Sequence, residues 1–336
     1  MAYIHKKNIG GKTYYTLRIS ARKNGKIIVK DLHNLGSDIS KIEIDKLEKK
    51  YKKEIRKSYK TIKKFLETNK YLENAGKKKH KKNYYLTKEE LSKIEAAKEH
   101  YSKKFLKLPE KTRREILEQF LLRFAVNSTS IEGNTITLKE AAKLFSEGTV
   151  PKNRTVREVY DLTNTRKAFF ELMEKKPSIT LKLIEETHDK LLENIDERKG
   201  FRDHDIHILG QPFKPSPARY IKDDLKILVE WYKKEKKRIH PVVLATLFHH
   251  KFENIHPFSD GNGRTGRMIM NHILIKHSYP PIVINNFNRK EYLEALNKAD
   301  KAIKKNLEAT ENPDYTHLVK FTAKQLEQSY WDIFLH

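Results

Sequence analysis

Residues 256–267 read His-Pro-Phe-Ser-Asp-Gly-Asn-Gly-Arg-Thr-Gly-Arg, and an apolar, helix-forming stretch, 268–275, follows them directly. The first turn of a helix ordinarily favours acidic side chains, because the backbone dipole leaves positive partial charge there. Arg264 and Arg267 stand in this turn against that preference, three residues apart and therefore on one helix face. Cations added to a positive helix end indicate a bound polyanion. The stretch predicts a phosphate-binding loop that opens a helix, with a histidine and a carboxylate beside it.

The same twelve residues resemble the signature HPFx[DE]GNGRxxR of Fic proteins, which have the Fido fold, and every fixed position is filled. Fic proteins mostly transfer AMP from ATP to a hydroxyl group of a protein. The resemblance therefore implies a nucleotidyltransferase, a protein adenylyltransferase that modifies Ser, Thr or Tyr side chains. It also implies ATP as the substrate and Mg²⁺ as the metal ion.

The composition limits the class of protein. A chain of 336 residues can hold one large domain or two. The absence of cysteine excludes disulfides, thiolate catalysis and cysteine-ligated metal sites, and it suits a reducing cytosol. No apolar run approaches the ~20 residues of a membrane helix, and no signal-peptide pattern opens the chain. We expect a cytoplasmic protein without a membrane association.

The positive charge is concentrated near the N-terminus. The chain has a net charge of +26, and residues 1–82 carry 25 Lys or Arg against 8 Asp or Glu, which leaves +17 in this segment. Such a segment could bind nucleic acid, an acidic protein or an anionic membrane surface. A lysine-rich proteome, in which Lys and Glu coat protein surfaces, explains the charge equally well. Among the binding roles we favour substrate recruitment or homodimerisation.

The basic segment divides into strands and a helix. Residues 3–35 alternate in the manner of strands, with turn signals at Gly10-Gly11 and Asn24-Gly25, and predict a small antiparallel hairpin sheet. Its pattern resembles the N-terminal hairpin of some transposase-like proteins, which favours contact with nucleic acid. From residue 38 to about 74 an apolar stripe predicts one long amphipathic helix. Residues 74–83 form a basic linker.

The rest of the chain reads as helical, and the fold class is mainly α. We expect a Fido-type helical bundle interrupted by one β-hairpin at 203–217. The predicted units are the appendage 1–82, a helical region 84–177 with an inhibitory helix at about 112–133, the catalytic domain 178–322, and the end of a C-terminal helix, 323–336. Helices are expected near 111–132, 139–146, 154–175, 180–194, 218–236, 240–253, 263–277, 289–304 and 313–333.

His256 is the candidate catalytic residue. An imidazole accepts and releases a proton near neutral pH without any perturbation of its pKa. The resemblance gives His256 the role of deprotonating the target hydroxyl as it attacks the α-phosphate of ATP. A histidine that merely caps the loop is the alternative, and the complete motif favours catalysis.

The loop after His256 is expected to hold the nucleotide. Asp260 offers a hard oxygen ligand for Mg²⁺, which binds through one or two carboxylates and the phosphates. Glycines let backbone amides approach the phosphates, and Asn262 adds a side-chain donor for developing charge. By resemblance Arg264 and Arg267 clamp phosphate oxygens, with Arg267 on the terminal phosphate. The predicted nucleotide-binding set in this loop is Asp260, Gly261, Asn262, Gly263, Arg264, Thr265 (by its backbone amide), Gly266 and Arg267.

Two further segments resemble parts of the Fic site. The hairpin 203–217 resembles the Fic flap, which would receive an extended target segment by strand addition; an ordinary hairpin that closes the bundle is the alternative. Its expected nucleotide-side residues are His207, Ile208, Leu209 and Gly210. Residues 288–296 resemble the helix that lines the adenine pocket, where Tyr292 could pack against the base. Asp300 stands where several relatives have asparagine.

A possible brake lies upstream. Residues 128–133, Ser-Thr-Ser-Ile-Glu-Gly, resemble the inhibitory-helix motif [ST]xxxE[GN], with Ser128, Glu132 and Gly133 at its fixed positions. Glu132 ends a helix, where the dipole disfavours a carboxylate, and Gly133 is a natural C-cap. The resemblance implies that Glu132 pairs with Arg267 and takes the guanidinium that should hold the γ-phosphate. An exposed helix-end glutamate is the alternative.

Three functions remain open at this point. The leading one is an autoinhibited adenylyltransferase whose partner is a protein with a hydroxyl side chain, and self-modification on one of the 16 tyrosines is also compatible. A de-AMPylating hydrolase would use the same site, with Glu132 orienting a water molecule. A nucleic-acid-associated regulator would use residues 1–82.

Overall fold

The N-terminal unit begins with a three-stranded antiparallel sheet. The structure, a computed structural model, describes residues 1–79, 83–207, 214–303 and 306–335. Strands β1 (Ala2–Ile9), β2 (Lys12–Lys23) and β3 (Lys26–Gly36) lie in the order β1-β2-β3. The glycine turns after β1 and β2 are those that the sequence predicts, and the sheet is confirmed. Tyr15 and Leu17 of β2 are buried against the helices that follow.

The single long helix predicted after the sheet is wrong. The structure has helix α1 (Ile44–Ile55), a 3-10 turn at Arg56–Ser58 and helix α2 (Tyr59–Gly76). Tyr51 of α1 donates a hydrogen bond to the Leu32 carbonyl of β3 at 3.1 Å. α2 shares the sheet's core through Ile62 and Leu66 and also contacts helix α3 (Lys88–Lys103) of the following bundle. The break therefore lets both helices cover the sheet, while α2 also joins it to the bundle.

The remaining helices follow the predicted bounds within a few residues. Thr87, Thr137 and Thr155 each begin a helix with a capping box. The elements after α3 are α4 (Glu110–Ile131), α5 (Leu138–Glu147), α6 (Val156–Lys175), α7 (Leu181–Leu191), α8 (Ile221–Glu235), α9 (Pro241–Ile255), α10 (Asn262–Lys276), α11 (Arg289–Ile303) and α12 (Thr316–Ile333). The mainly α fold class is confirmed.

Helices α9 and α10 form the centre of the bundle. Both are buried on nearly every side, as expected of helices surrounded by other helices. Lys251 of α9 lies inside this core and donates to the carbonyls of Leu307 and Ala309 at 2.6 and 2.7 Å. Two helices fixed in this way hold the connecting loop, residues 256–261, on a rigid base.

The predicted hairpin at 203–217 is described only at its two ends. Residues 203–207 and 214–217 are not strands, so the hairpin ladder is absent from these described flanks. Pro215 and Pro217 explain this for the second flank, because proline has no N–H to donate to a ladder. Ile208, Leu209 and Gly210 lie outside the described residues. Within the described ranges, the helices fall short of the length and apolarity that a membrane span requires.

Candidate active site

His256 stands at the end of α9 with its ring fixed. The residue takes a left-handed conformation (φ 50°) and its amide donates to the Phe252 carbonyl at 3.0 Å. Its Nδ1 lies 3.2 Å from the carbonyl oxygen of Glu253. Because a carbonyl only accepts, Nδ1 donates and Nε2 carries the lone pair of the neutral ring. Burial lowers the pKa of the imidazole to about 4, so the ring is a neutral base at physiological pH.

Asn262 secures the loop that follows His256. Its Oδ1 accepts the Phe258 amide at 2.9 Å and its Nδ2 donates to the Phe258 carbonyl at 2.8 Å. The Phe258 ring is fully buried and stacks on His188 with a centroid distance of 3.7 Å. The side-chain donor expected for the nucleotide is therefore used to close the loop, because two opposed backbone groups satisfy the amide. Phe258 is the core anchor that holds this turn in place.

The first amides of α10 form the anion-binding end of the loop. Gly261 is the N-cap, and its carbonyl accepts the Thr265 amide at 3.0 Å. The expected use of the Thr265 amide for the nucleotide is not supported, since that amide makes the first bond of the helix. The amides of Asn262, Gly263 and Arg264 precede that bond and have no acceptor within the helix. These three amides carry the positive end of the helix dipole.

Two glycines of the loop serve close approaches on different sides. A Cβ at Gly266 would lie 2.6 Å from Glu253 Oε1 and 2.7 Å from His249 Nδ1, so Gly266 packs α10 against α9 and does not face a nucleotide. A Cβ at Gly263 would lie 2.2 Å from Glu132 Oε1. Gly263 therefore lets the Glu132 carboxylate lie directly over the start of α10.

Arg264 is held by two carboxylates. Its Nη1 donates to Asp161 of α6, and its Nη2 lies 3.2 Å from Asp260 Oδ1. The guanidinium is 3% exposed and Asp161 12%. The Arg264 guanidinium thus forms an internal pair that ties α6 to the loop, and its role as a phosphate clamp stays a prediction. Asp161, 103 positions earlier, was missed because only the tertiary fold brings it here.

Asp260 is an ionised carboxylate among cations. Burial acts to raise its pKa, but Arg264, Arg157 and the Gly261 amide hold the pKa below its ordinary value. Arg157 of α6 donates to the second carboxylate oxygen and is itself 55% exposed. An exposed arginine pair of this kind contributes little, so a stronger cation can replace Arg157 at that oxygen. Among the described residues, no three His, Asp or Glu side chains cluster as a metal site.

Arg267 meets Glu132 as the sequence motif implies. Its Nη2 donates to Glu132 Oε1 at 2.8 Å and to the Ser128 carbonyl at 2.8 Å, and its Nε donates to Ser128 Oγ at 3.1 Å. Burial opposes the charge on Arg267, yet Glu132 leaves its pKa raised. Helix α4 ends at Ile131 and Gly133 follows in a positive-φ conformation. The two motifs predicted from sequence are therefore in direct contact.

Buried polar groups beneath Arg267 were not predicted. Burial raises the pKa of Glu253 to about 8, so this carboxyl group is protonated at neutral pH. Burial also lowers the pKa of His249 well below its ordinary value. His249 Nε2 lies 2.5 Å from the Tyr292 hydroxyl. Their positions in α9, three and seven residues before His256, give a helical spacing that points to the same side of the helix.

Two arginines outside the motif position its parts. Arg202 has a fully buried side chain and donates to the carbonyls of His256, His204 and Ser216. It thereby joins the catalytic turn to both flanks of segment 203–217. Arg289 donates to the Ile131 carbonyl at 2.8 Å and caps the end of the helix that carries Glu132.

A cavity of about 340 Å³ connects these groups. Its lining includes His256, Asp260, the start of α10 and Arg267. From α11 it includes an apolar part, Tyr292, Leu293 and Leu296, beside the polar Asn297 and Asp300. This volume and this mixture suit a small polar ligand with an aromatic part. His207, predicted on the nucleotide side, lines a separate cavity with Pro217 and Leu307 instead, because its flank is not folded back as a strand.

The chain resembles known proteins over this region. Residues 178–274 match the model of the Fic/DOC family. Protein adenylyltransferase fic-1 of Caenorhabditis elegans is 28% identical over 65% of this chain and 42% of its own length. Protein adenylyltransferase Fic of Drosophila mojavensis is 31% identical over 61% and 40%, respectively. The chain thus spans about two fifths of these curated relatives.

Solved structures share the fold. A Fic-domain-containing signaling protein from Bacteroides thetaiotaomicron superposes with a TM-score of 0.63 at 26% identity, over 70% of this chain and 94% of that one. C. elegans Fic-1 (residues 134 to 508) superposes with a TM-score of 0.60 at 24% identity, over 73% and 71%.

Proposed function

Because the chain carries a Fic/DOC-family domain, we propose that it is a protein adenylyltransferase that moves AMP from ATP to a Ser, Thr or Tyr hydroxyl of a protein. The observation that carries this proposal is the placement of His256. A neutral imidazole with a fixed tautomer lines the same cavity as the first residues of α10, whose amides have no acceptor within the helix, and as the side chains of Tyr292, Leu293 and Leu296. The adenylyltransferase names of the relatives support the same reaction.

In the proposed reaction, His256 is the base, and the first amides of α10 bind the phosphates. His256 takes the proton of the target hydroxyl on Nε2, and the oxygen attacks the α-phosphorus of ATP. The bond from the α-phosphorus to the bridging oxygen breaks, and pyrophosphate leaves. The amides of Asn262, Gly263 and Arg264 stabilise the charge that develops on the phosphate oxygens. The proton on His256 then passes to solvent or to the leaving group.

The apolar part of the cavity lining suits the adenine base. Tyr292 is fixed by its hydrogen bond to His249, and Leu293 and Leu296 stand one and four residues further on in the same helix. A planar base between an aromatic ring and aliphatic side chains buries its faces without a charge requirement. This places the phosphates toward the start of α10.

Asp260 is the residue that would hold Mg²⁺. It is ionised, it borders the cavity, and the cation at one of its oxygens is the half-exposed Arg157. A single protein carboxylate suits Mg²⁺, which takes its other ligands from phosphates and water. When bound, the ion would neutralise phosphate charge. Arg264, held by Asp161, keeps the Asp260 carboxylate in position.

Glu132 supplies an autoinhibitory contact. Its carboxylate occupies Arg267 and lies over Gly263, where a terminal phosphate would meet both the guanidinium and the first amides. Because two anions cannot share this position, ATP has to displace Glu132 before its phosphates adopt the productive arrangement. The wild-type protein is therefore nearly inactive in AMP transfer.

The same glutamate also supports a second function, the removal of AMP. The Glu132 side chain is 42% exposed and borders the cavity that contains His256. A carboxylate in that place could orient a water molecule toward an AMP-modified hydroxyl. Release of AMP from a pre-modified target by the wild type, lost in Glu132→Gly, would favour this function.

The test is labelling with ATP that carries a radioactive α-phosphate, in the presence of a host lysate. We expect strong labelling by Glu132→Gly, of a target or of the protein itself, and little by the wild type. Glu132→Gly/His256→Ala should return to background, since a general base contributes about 10²–10⁴-fold. Glu147→Gly, at the exposed end of α5, is the matched control and should behave like the wild type. Equal labelling by wild type and Glu132→Gly would refute the autoinhibition; full labelling by the double variant would refute the role of His256.

A further inference from the structure

The two layers of the N-terminal unit carry nearly the same net charge, +7 and +8, but only the helical layer mixes its cations with many carboxylates. The strand segment, residues 1–36, contains eight Lys or Arg and one acidic residue, Asp31. The helical segment, residues 37–79, contains fifteen Lys or Arg and seven Asp or Glu. Mixed charge on exposed helices is typical of a solvated surface. The charged residues of the strand segment are instead basic, apart from Asp31. Asp31 is already paired with Arg18.

The strands β2 and β3 extend beyond the rest of the unit as a two-stranded ribbon. β1 pairs with β2 only as far as the Ala2–Ile19 position. Past that point β2 and β3 continue to pair, through Ala21 with Ile28 and on to Lys23 with Lys26. Residues 21–31 are all exposed, on both faces of the ribbon. We call this segment, residues 21–31, the arm.

The arm displays cations and aliphatic side chains together. Ile27, Ile28 and Val29 are 73%, 52% and 48% exposed. The arm also carries four cations, Arg22, Lys23, Lys26 and Lys30. Three consecutive exposed aliphatic residues on a strand are unfavourable in water and mark a contact surface. The four cations around them select an anionic partner.

We propose that the arm binds double-stranded DNA by insertion into the major groove. The six β3 residues of the arm, 26–31, extend for about 20 Å, and the groove, about 12 Å wide and 8.5 Å deep, admits a two-stranded ribbon. The lysines reach the phosphates on the groove walls, and the aliphatic side chains meet base edges and thymine methyl groups. Double-stranded RNA does not fit, because its major groove is too narrow for side chains to enter.

The test measures binding of the full chain to a 30-base-pair DNA duplex by fluorescence anisotropy over a range of salt concentrations. Replacing Lys23, Lys26 and Lys30 by Gln should weaken binding roughly 100-fold at 0.1 M salt and lower the salt slope by about 2.7. The matched control replaces Lys49, Lys53 and Lys57 by Gln. These three lysines are also exposed, and they lie in α1 and the turn after it. Their replacement removes the same charge as the arm variant. The control should change the affinity far less.

An uncharged variant tests the groove contact itself. Ile27→Thr/Val29→Thr keeps β-branched side chains and the net charge, and it should weaken binding several-fold without a change in salt slope. An equal loss in the arm and control triple variants would overturn the proposal, because it would indicate diffuse attraction. So would equal or tighter binding of an RNA duplex of the same sequence, or an arm variant that changes only the oligomeric state in sedimentation. AMP transfer in a Glu132→Gly background should be unaffected by the arm variants, so this proposal and the proposed activity fail separately.

Discussion

Arg264 and Arg267 stand one helical turn apart at the start of α10, and the carboxylates that they face from earlier helices differ in exposure. Each guanidinium is 3% exposed and each faces a carboxylate from an earlier helix. Asp161, the partner of Arg264, is 12% exposed, whereas Glu132, the partner of Arg267, is 42% exposed. The first pair is closed on both sides, and the second opens onto the cavity.

This difference separates a structural ion pair from a displaceable one. A ligand that reaches Arg264 would have to remove a buried aspartate from a helix core, whereas a ligand that reaches Arg267 replaces a carboxylate that solvent already contacts. The position of the carboxylate on its element explains the contrast. Asp161 lies within α6, whereas Glu132 directly follows the last residue of α4, Ile131.

The largest effect is expected from Asp161→Asn. The substitution leaves the buried Arg264 with Asp260 as its one carboxylate, and the loss of a charge-assisted hydrogen bond should cost about 1.5–3 kcal/mol of unfolding free energy. Glu132→Gln, the matched change at Arg267, should cost about 1 kcal/mol, since solvent screens the exposed glutamate. Urea unfolding of both variants measures the two values. Equal losses would show that the two pairs do not differ as their exposure indicates.

The sequence predicts much of the fold and the identity of this loop. Helix bounds follow from apolar periodicity and capping residues, and the loop motif singles out His256 and Arg267 by type and spacing. Asp161 and Arg202 could not be predicted, because nothing in their local sequence differs from an ordinary helix or turn residue. Their role depends on contacts with residues more than fifty positions away.

The sequence was least informative where a residue has two possible partners. Asn262 and Thr265 have groups that could bind phosphate, but their own backbone neighbours satisfy them first. The break at Arg56–Ser58 was missed for a related reason: two lysine or arginine residues and a serine fit the polar face of a continuous helix, and only packing on α3 shows that the helix turns.

The second prediction concerns which nucleotide has to compete with Glu132 for Arg267. In a His256→Ala background, which prevents turnover, Glu132→Gly should tighten ATP binding about tenfold or more, equivalent to at least ~1.4 kcal/mol. ADP should gain little, because it has no γ-phosphate to take the place of the carboxylate on Arg267. Isothermal titration calorimetry with both nucleotides gives the four affinities needed. An equal gain for ADP would indicate that Glu132 opposes a part of the nucleotide other than the γ-phosphate.

A smaller effect is expected from Ser128→Ala. It removes the hydroxyl that accepts from Arg267 Nε but leaves the backbone acceptor and Glu132 in place. The loss of one hydrogen bond to a charged group, about 1.5–3 kcal/mol at most, should loosen α4 and raise AMP transfer a few-fold. Ser130→Ala, on the same helix, is the control and should leave labelling at the wild-type level. No rise with Ser128→Ala would mean that Glu132 alone fixes Arg267.

The smallest effect on ATP binding is expected from pH, and it belongs to the Arg267 side alone. The pKa of Glu253 is about 8 in the folded protein against a reference value of 4.5, so between these values the folded state holds a proton that the unfolded chain has lost. Stability therefore falls as the pH rises through that range. Above pH 8 the ionised Glu253 adds a negative charge beside Arg267, which opposes the γ-phosphate as well as Glu132, so ATP binding to the wild type should weaken modestly between pH 7 and 9. Glu253→Gln cannot ionise and should remove both trends, which thermal unfolding and ATP titration at several pH values would reveal. If the trends persist in Glu253→Gln, another group titrates there, and Arg267 has only the one competing carboxylate at Glu132.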